Sequence, residues 1–234
     1  KERWTYLKEA LQKEGSYTEL FFEGAQEPYF LDTASVCAAL CLPVSQATRV
    51  LDLCAAPGGK TLVLSANMGL GTILYANERS KLRYNRLCAT VKNCLRADVA
   101  SRIKLSCLEG AAFSHRCGES FDSILLDAPC SSERHVLNDA AYLGKWSPSR
   151  IKTLCVNEWA LLSSAWPILC EGGFLLYATC ALSPLENEGM VQRLLKKYGD
   201  EASVFSAEEL KAVFFDAIAT CTLCYLKIAI FLRN

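Results

Sequence analysis

Short apolar runs that recur between helix-start signals constrain this chain more than anything else in it. Arg49–Cys54, Thr72–Ala76, Ile103–Leu108, Phe121–Leu126 and Gly173–Ala178 each have the length of a strand and are too short for a buried helix. Between them lie helix patterns. Gly59–Met68 follows the first run, Ser80 caps a longer helix to about Arg96, and Arg150–Leu169 reads as a long helix that Pro167 ends or kinks. Ser183-Pro184-x-Glu186 reads as a capping box with proline at the first helical position, so a helix is expected to about Tyr198. Two more strands are expected from Val213 on. Alternation of this kind calls for an α/β fold, a mostly parallel sheet with helices on both faces. Ahead of it, Trp4–Glu14 reads as an amphipathic helix, and Asp32 caps a helix through Leu40. The expected organisation is a helical preface over residues 1–45 and one α/β domain over residues 46–234.

The chain has 234 residues, half of them hydrophobic, which is enough for a core and too much for disorder. Its thirteen cysteines are odd in number and lie in apolar segments, so they read as buried thiols in a reducing compartment, not as a disulfide framework. The one C-x-x-C, Cys221 to Cys224, has no second pair and no nearby histidine, so a zinc site is not expected and no metal is assigned. No apolar run reaches the roughly 18 residues of a membrane helix; Val213–Leu232 comes nearest and contains Asp216 and Lys227.

The first strand runs into Asp52-Leu53-Cys54-Ala55-Ala56-Pro57-Gly58-Gly59-Lys60-Thr61. Two glycines at a helix start let a backbone approach a ligand among unpaired N–H groups. A phosphate-binding P-loop ends Gly-Lys-Thr, as here, but its first glycine would fall on Cys54. A plain strand-to-helix turn is a second reading. A nucleoside-cofactor turn is the third, and it requires an acid at the end of the next strand, where Glu78 stands.

Two cysteines lie where an open α/β sheet keeps its chemistry. Cys130 follows Asp127-Ala128-Pro129 at the end of one strand, and Cys180 follows Thr179 at the end of the next. A free thiol of pKa about 8.5 is only a few per cent ionised at neutral pH, so a nucleophilic cysteine needs surroundings that favour the thiolate.

Three segments, CAAPGGKT (Cys54–Thr61), LDAPCS (Leu126–Ser131) and YATCALSPLENE (Tyr177–Glu188), together with PYFLDTAS (Pro28–Ser35), resemble the Nop/Sun family of RNA cytosine-5 methyltransferases, in the family's order and over roughly Pro28–Lys197. The resemblance implies a Rossmann-like class I sheet, S-adenosyl-L-methionine as cofactor, and methyl transfer to carbon 5 of a cytosine. It implies Cys180 as the nucleophile, Cys130 as the group assisting product release, and Asp127 between cofactor and base. It assigns Cys54, Ala55, Ala56, Pro57, Gly58, Gly59 and Lys60 to the cofactor loop, Glu78 to the ribose with Arg83 nearby, and Glu109 and Gly110 to the adenine. The family usually has aspartate where Glu78 and Glu109 stand, so a weak or inactive ribosome-assembly factor is the competing expectation. The continuation Pro129-Cys130-Ser131-Ser132-Glu133-Arg134-His135 is most similar to the mitochondrial ribosomal-RNA branch. That likeness implies a mitochondrial location, a ribosomal-RNA substrate and a helical-repeat partner of the mitochondrial terminator-factor type.

Net charge is zero, but Arg79, Lys81, Arg83, Arg86, Lys92, Arg96, Arg102 and Lys104 face a single acid, Asp98, over residues 79–104. This stretch reads either as a solvated helix face or as a phosphate track, which Arg134, Lys145, Arg150 and Lys152 would extend.

Overall fold

The computed structural model describes residues 2–13, 15–144, 146–206, 209 and 227–234. Helix α1 (Glu2–Gln12) leads into strands β1 (Tyr17–Leu20) and β2 (Tyr29–Asp32) and helix α2 (Thr33–Leu40). The alternation follows: β3 (Arg49–Asp52), α3 (Gly59–Asn67), β4 (Ile73–Asn77), α4 (Lys81–Cys94), α5 (Ala97–Ala100), β5 (Ile103–Ser106), α6 (Phe113–Cys117) and β6 (Phe121–Asp127). Then come α7 (Glu133–Asn138), α8 (Ala140–Leu143), α9 (Pro148–Ala165), β7 (Leu169–Thr179), α10 (Glu188–Tyr198), β8 (Ala202–Val204) and β9 (Lys227–Arg233).

Seven strands form one sheet in the order β5-β4-β3-β6-β7-β9-β8. The first five run parallel, and β9 is antiparallel to both β7 and β8. Alternate residues of each central strand enter opposite cores. Val50, Leu125, Leu176 and Ala178 join Leu62 and Leu87 on one face, and Leu51, Ile124, Leu126, Leu175 and Tyr177 join Leu161, Leu162 and Leu194 on the other. Burial on both faces is why these strands read as unbroken apolar runs. The chain turns opposite ways from β3, towards β4 on one side and β6 on the other, and a crevice at such a switch point opens at the carboxyl ends of the strands.

The segment expected as a helical preface also contains the β1–β2 hairpin, with Tyr17 opposite Asp32 and Leu20 opposite Tyr29. Aromatic and β-branched residues at alternate exposure favour a strand there over a helix. This preface is fastened to the rest: Asn138 donates to the Leu11 carbonyl, and Lys60 donates to Ser35.

The capping box expected at Ser183 does not form. Residues 184–187 are turns, and the helix begins at Glu188. The reason is that the Glu186 carboxylate points across to Ser131, while Asn187 donates to the carbonyls of Ala181 and Ser183. Most of the tail expected to supply two strands, and the Cys221–Cys224 pair, lie outside the described residues; β9 is the strand described there, and β8 lies before it. No helix among the described residues is long and apolar enough to cross a membrane.

Candidate active site

Strands β6 and β7 are adjacent and parallel, with Asp127 paired to Ala178, so their ends present Cys130 and Cys180 side by side. The two sulfurs are 3.3 Å apart. Ser132 Oγ lies 3.4 Å from Cys180 Sγ. Ser132 has φ +52°, the one non-glycine positive φ among the described residues, and this left-handed turn brings its hydroxyl back to the sulfur.

The two thiols differ in charge. The hydrogen bond from Cys130 pulls Cys180 down to about 7 against the effect of burial, with help from Ser132 and the nearby Lys60. The same hydrogen bond, then burial and the charge of Cys180, push Cys130 far up. Among the described residues Cys180 is the one cysteine whose thiol is lowered; Cys54, for example, is raised by burial and by the Asp52 charge. Cys180 is also exposed. It is therefore a half-ionised, accessible sulfur with a neutral thiol donating to it. Alkylation of Cys180 by iodoacetamide, followed peptide by peptide, is expected to rise with pH through a midpoint of about 7. In Cys130→Ala that midpoint moves up, because the largest lowering influence is gone; an unmoved midpoint would remove Cys130 as its cause.

Lys60, at the start of α3, donates to Asp127 Oδ2 at 2.7 Å and to Ser35 Oγ at 2.9 Å. Burial alone would lower Lys60, but Asp127 outweighs it, with Asp52 and Cys180 adding to the same effect, and the ammonium is held above its ordinary value. Asp127 is thus an acceptor from Lys60, and Lys60 is the donor beside it. Asp52, fully buried at the end of β3, accepts from Thr61 through Oδ2, while Oδ1 has no partner; burial raises it to about 7.

Beside this cluster a groove of about 230 Å³ is lined by Leu53, Cys54, Glu78, Arg83, Glu109 and Gly110, with Leu161 of α9 among the residues closing it. Glu78 is buried; Oε1 accepts from the Ser80 N–H at 2.8 Å, and Oε2 pairs with Arg83 at 3.2 Å. Arg83 also donates to the Ala56 carbonyl, tying the loop to α4. Glu109 is half-exposed and lies 3.8 Å from Arg79. A Cβ on Gly110 would come within 2.6 Å of Leu161, so glycine there lets α9 close on the groove.

Not all the expected cofactor residues line this groove. Ala55, Ala56 and Gly59 are buried beneath it, Pro57 is exposed, and Lys60 and Asp127 face the cysteines. The space left by the two loop glycines is taken up by packing: a Cβ would meet Thr90 at 2.8 Å from Gly58, with φ +118°, and Leu31 at 2.6 Å from Gly59. Sequence reasoning missed Ser35, Ser131, Ser132, Glu133, Glu186 and the α9 wall. The first five lie inside segments already singled out, but spacing alone does not tell which polar side chains turn inward.

The basic stretch is mostly spent on the protein itself. Arg79, Arg83 and Arg96 pair with Glu109, Glu78 and both Glu23 and Asp98, Arg102 donates to the Gly69 carbonyl, and Lys104 donates to the Tyr75 hydroxyl. Lys81 sits over the Tyr84 ring, which leaves Arg86 and Lys92 as the cations of this stretch without such a contact among the described residues. Arg134 donates to the Lys13 carbonyl, and Lys145 lies outside the described residues.

A family model described as 16S rRNA methyltransferase RsmB/F matches residues 39–218. The chain is 38% identical over 181 residues to a ribosomal RNA small subunit methyltransferase F of Klebsiella pneumoniae, covering 77% of this chain and 37% of that protein. It is 40% identical over 157 residues to the protein of that name from Serratia proteamaculans, covering 67% and 32%. The chain thus spans about a third of the length of these curated relatives. Among solved structures, a methyltransferase homolog protein from Pyrococcus horikoshii shares the fold at TM-score 0.67 and 22% identity, covering 99% of this chain and 82% of that one. NSun6 from the same organism, solved with SFG, shares it at TM-score 0.62 and 24% identity, covering 77% and 44%.

Proposed function

The chain belongs to the 16S rRNA methyltransferase RsmB/F family, and on that premise we propose that it transfers a methyl group from S-adenosylmethionine to carbon 5 of a cytosine in ribosomal RNA. The observation that carries the reading is the unequal pair of sulfurs, 3.3 Å apart at the ends of β6 and β7.

The residues present fit the cofactor. A nucleoside needs apolar walls for its base and an acceptor for its ribose hydroxyls. The groove has Leu53, Pro129 and Leu161 for the first and the buried carboxylate of Glu78 for the second. Glu78 and Arg83 would hold the ribose end, and Glu109 and Gly110 the adenine end. When bound, S-adenosylmethionine supplies an electrophilic methyl group that a nucleophilic carbon 5 takes. The protein's part is to make carbon 5 nucleophilic. The Cys180 thiolate adds to carbon 6, forming an S–C6 bond and moving the C5–C6 π electrons towards carbon 5 and the ring. Asp127, held by Lys60, would accept from the exocyclic amine, and the Lys60 ammonium would offset the charge that builds on the base. After transfer, Cys130 gives its own proton to solvent and, as a thiolate, takes the carbon 5 proton; the π bond re-forms, the S–C6 bond breaks and Cys180 leaves as a thiolate. Cys130 is free to do so then, because a Cys180 thioether no longer carries the charge that held the Cys130 proton.

The test is calorimetric binding of S-adenosylmethionine, followed by incorporation of labelled methyl into small-subunit ribosomal RNA with the modified base identified by mass spectrometry. Glu78→Ala is expected to weaken cofactor binding about 10- to 100-fold, the range for losing hydrogen bonds to a charged group. A chain that binds no cofactor yet associates with ribosomal particles would be the assembly factor instead. We read the compartment as mitochondrial and the partner as a helical-repeat protein from the Pro129–His135 continuation alone. The short supply of free cations in residues 79–104 favours RNA held by such a partner or by a ribonucleoprotein particle.

A further inference from the structure

The two cysteine loops are joined by more than their sulfurs. Glu186, fully buried in the turn before α10, reaches across to the residue after Cys130: Oε1 accepts from the Ser131 N–H at 2.7 Å, and Oε2 lies 2.7 Å from Ser131 Oγ. Glu133 makes the reciprocal link. Its Oε2 accepts from the Leu182 N–H at 2.9 Å, two residues past Cys180, and its Oε1 lies 2.5 Å from the same Ser131 Oγ. Tyr177 donates its hydroxyl to the Glu186 carbonyl at 2.7 Å, which ties the turn to β7.

One carboxyl oxygen from each loop thus lies within 2.7 Å of Ser131 Oγ. Glu158 of α9 adds a third carboxyl, fully buried and pushed up to about 9 by burial and then by the charge of Glu186. Glu158 therefore keeps its proton at neutral pH and packs there without adding a charge.

We propose that Glu186 is a positioning residue, with Glu133 as its counterpart, that sets the separation of Cys130 and Cys180 by cross-linking their loops through Ser131 and Leu182. Its consequence for methyl transfer rests on the function proposed above; the separation itself is measurable without it.

The measurement is the equilibrium of a Cys130–Cys180 disulfide against glutathione, two thiols plus oxidised glutathione giving the disulfide and two reduced glutathiones. Differential alkylation and mass spectrometry read each peptide. Glu186→Ala is expected to lower that constant about tenfold and to slow kcat about 100-fold at unchanged KM for RNA, the scale of a misplacement near 1 Å. Glu186→Gln keeps an acceptor for the Ser131 N–H and offers an amide N–H to Ser131 Oγ, whose proton then goes to Glu133. It is expected to stay within about threefold of the parent. A parental disulfide constant in Glu186→Ala, or a glutamine variant as damaged as the alanine one, overturns the proposal. If Glu186→Ala does not fold, Ser131→Ala decides: it keeps the fold-buried carboxylates but loses both hydroxyl contacts. It should lower the constant about threefold, and no change overturns the proposal. If the constant falls as expected but the parent methylates no RNA, the functional reading fails and the positioning role stands.

Discussion

Cys180→Ala is expected to lower methyl transfer about 10⁴-fold or more while leaving fold and cofactor affinity intact. The size follows from what remains. With Cys180 absent, the sulfur left at the edge of the sheet is Cys130, which is less accessible and is raised by burial as well as by its neighbour. Losing Cys180 removes the hydrogen bond and the charge that raise it, but the burial stays. Cofactor affinity is spared because the groove is lined by Leu53, Glu78, Gly110 and Leu161, and Cys180 is not among its walls. Cys180→Ser is the control for shape. It places a hydroxyl beside Ser132 and Cys130, but an alcohol does not ionise near neutral pH, so serine should be as inactive as alanine. Labelled-methyl incorporation at pH 7.5, with cofactor affinity measured in parallel, checks both. Activity within about tenfold of the parent would move the nucleophile to Cys130.

How much of this was legible in the sequence depends on which forces wrote it. Val50-Leu51 and Ile124-Leu125-Leu126 announce strands because each residue has a core to enter on one face or the other. Asp32 and Ser80 announce helix starts because their side chains accept from backbone N–H groups two or three residues on. Ser183-Pro184-x-Glu186 carries the same local signal and gives the wrong start, because a tertiary partner, Ser131, competes for the glutamate and wins. The glycines were legible as a turn but not as packing, since Thr90 and Leu31 are distant in sequence. The basic stretch misleads in part for the same reason: Arg79 and Arg96 find Glu109 and Glu23, and spacing within the stretch does not reveal them. Local chemistry is readable from one chain. Competition between a local partner and a distant one is not.

Cys130→Ala is expected to accumulate a covalent protein–RNA adduct through Cys180, visible as a denaturant-stable band with labelled RNA and absent in the Cys130→Ala/Cys180→Ala double variant. Two effects oppose each other. Losing Cys130 removes the donor that lowers Cys180, so its thiolate fraction at pH 7 falls from about half to a few per cent, and attack slows accordingly. Losing Cys130 also removes the group proposed to take the carbon 5 proton, and general-base removal slows release about 10²- to 10⁴-fold. Formation is slowed but still proceeds, while the exit is blocked, so the adduct rises slowly to a high plateau. Raising the pH towards 9 should restore the rate of attack, because the thiolate returns, without restoring release. The band therefore grows faster at pH 9 than at pH 7, whereas a merely misfolded site would give none at either. Absence of the band across that range, in a variant that still binds cofactor and RNA, would remove Cys130 from product release. A band in Cys180→Ala and none in Cys130→Ala would exchange the two roles. The 3.3 Å between the sulfurs allows either order. What favours attack by Cys180 is that the shared proton sits on Cys130.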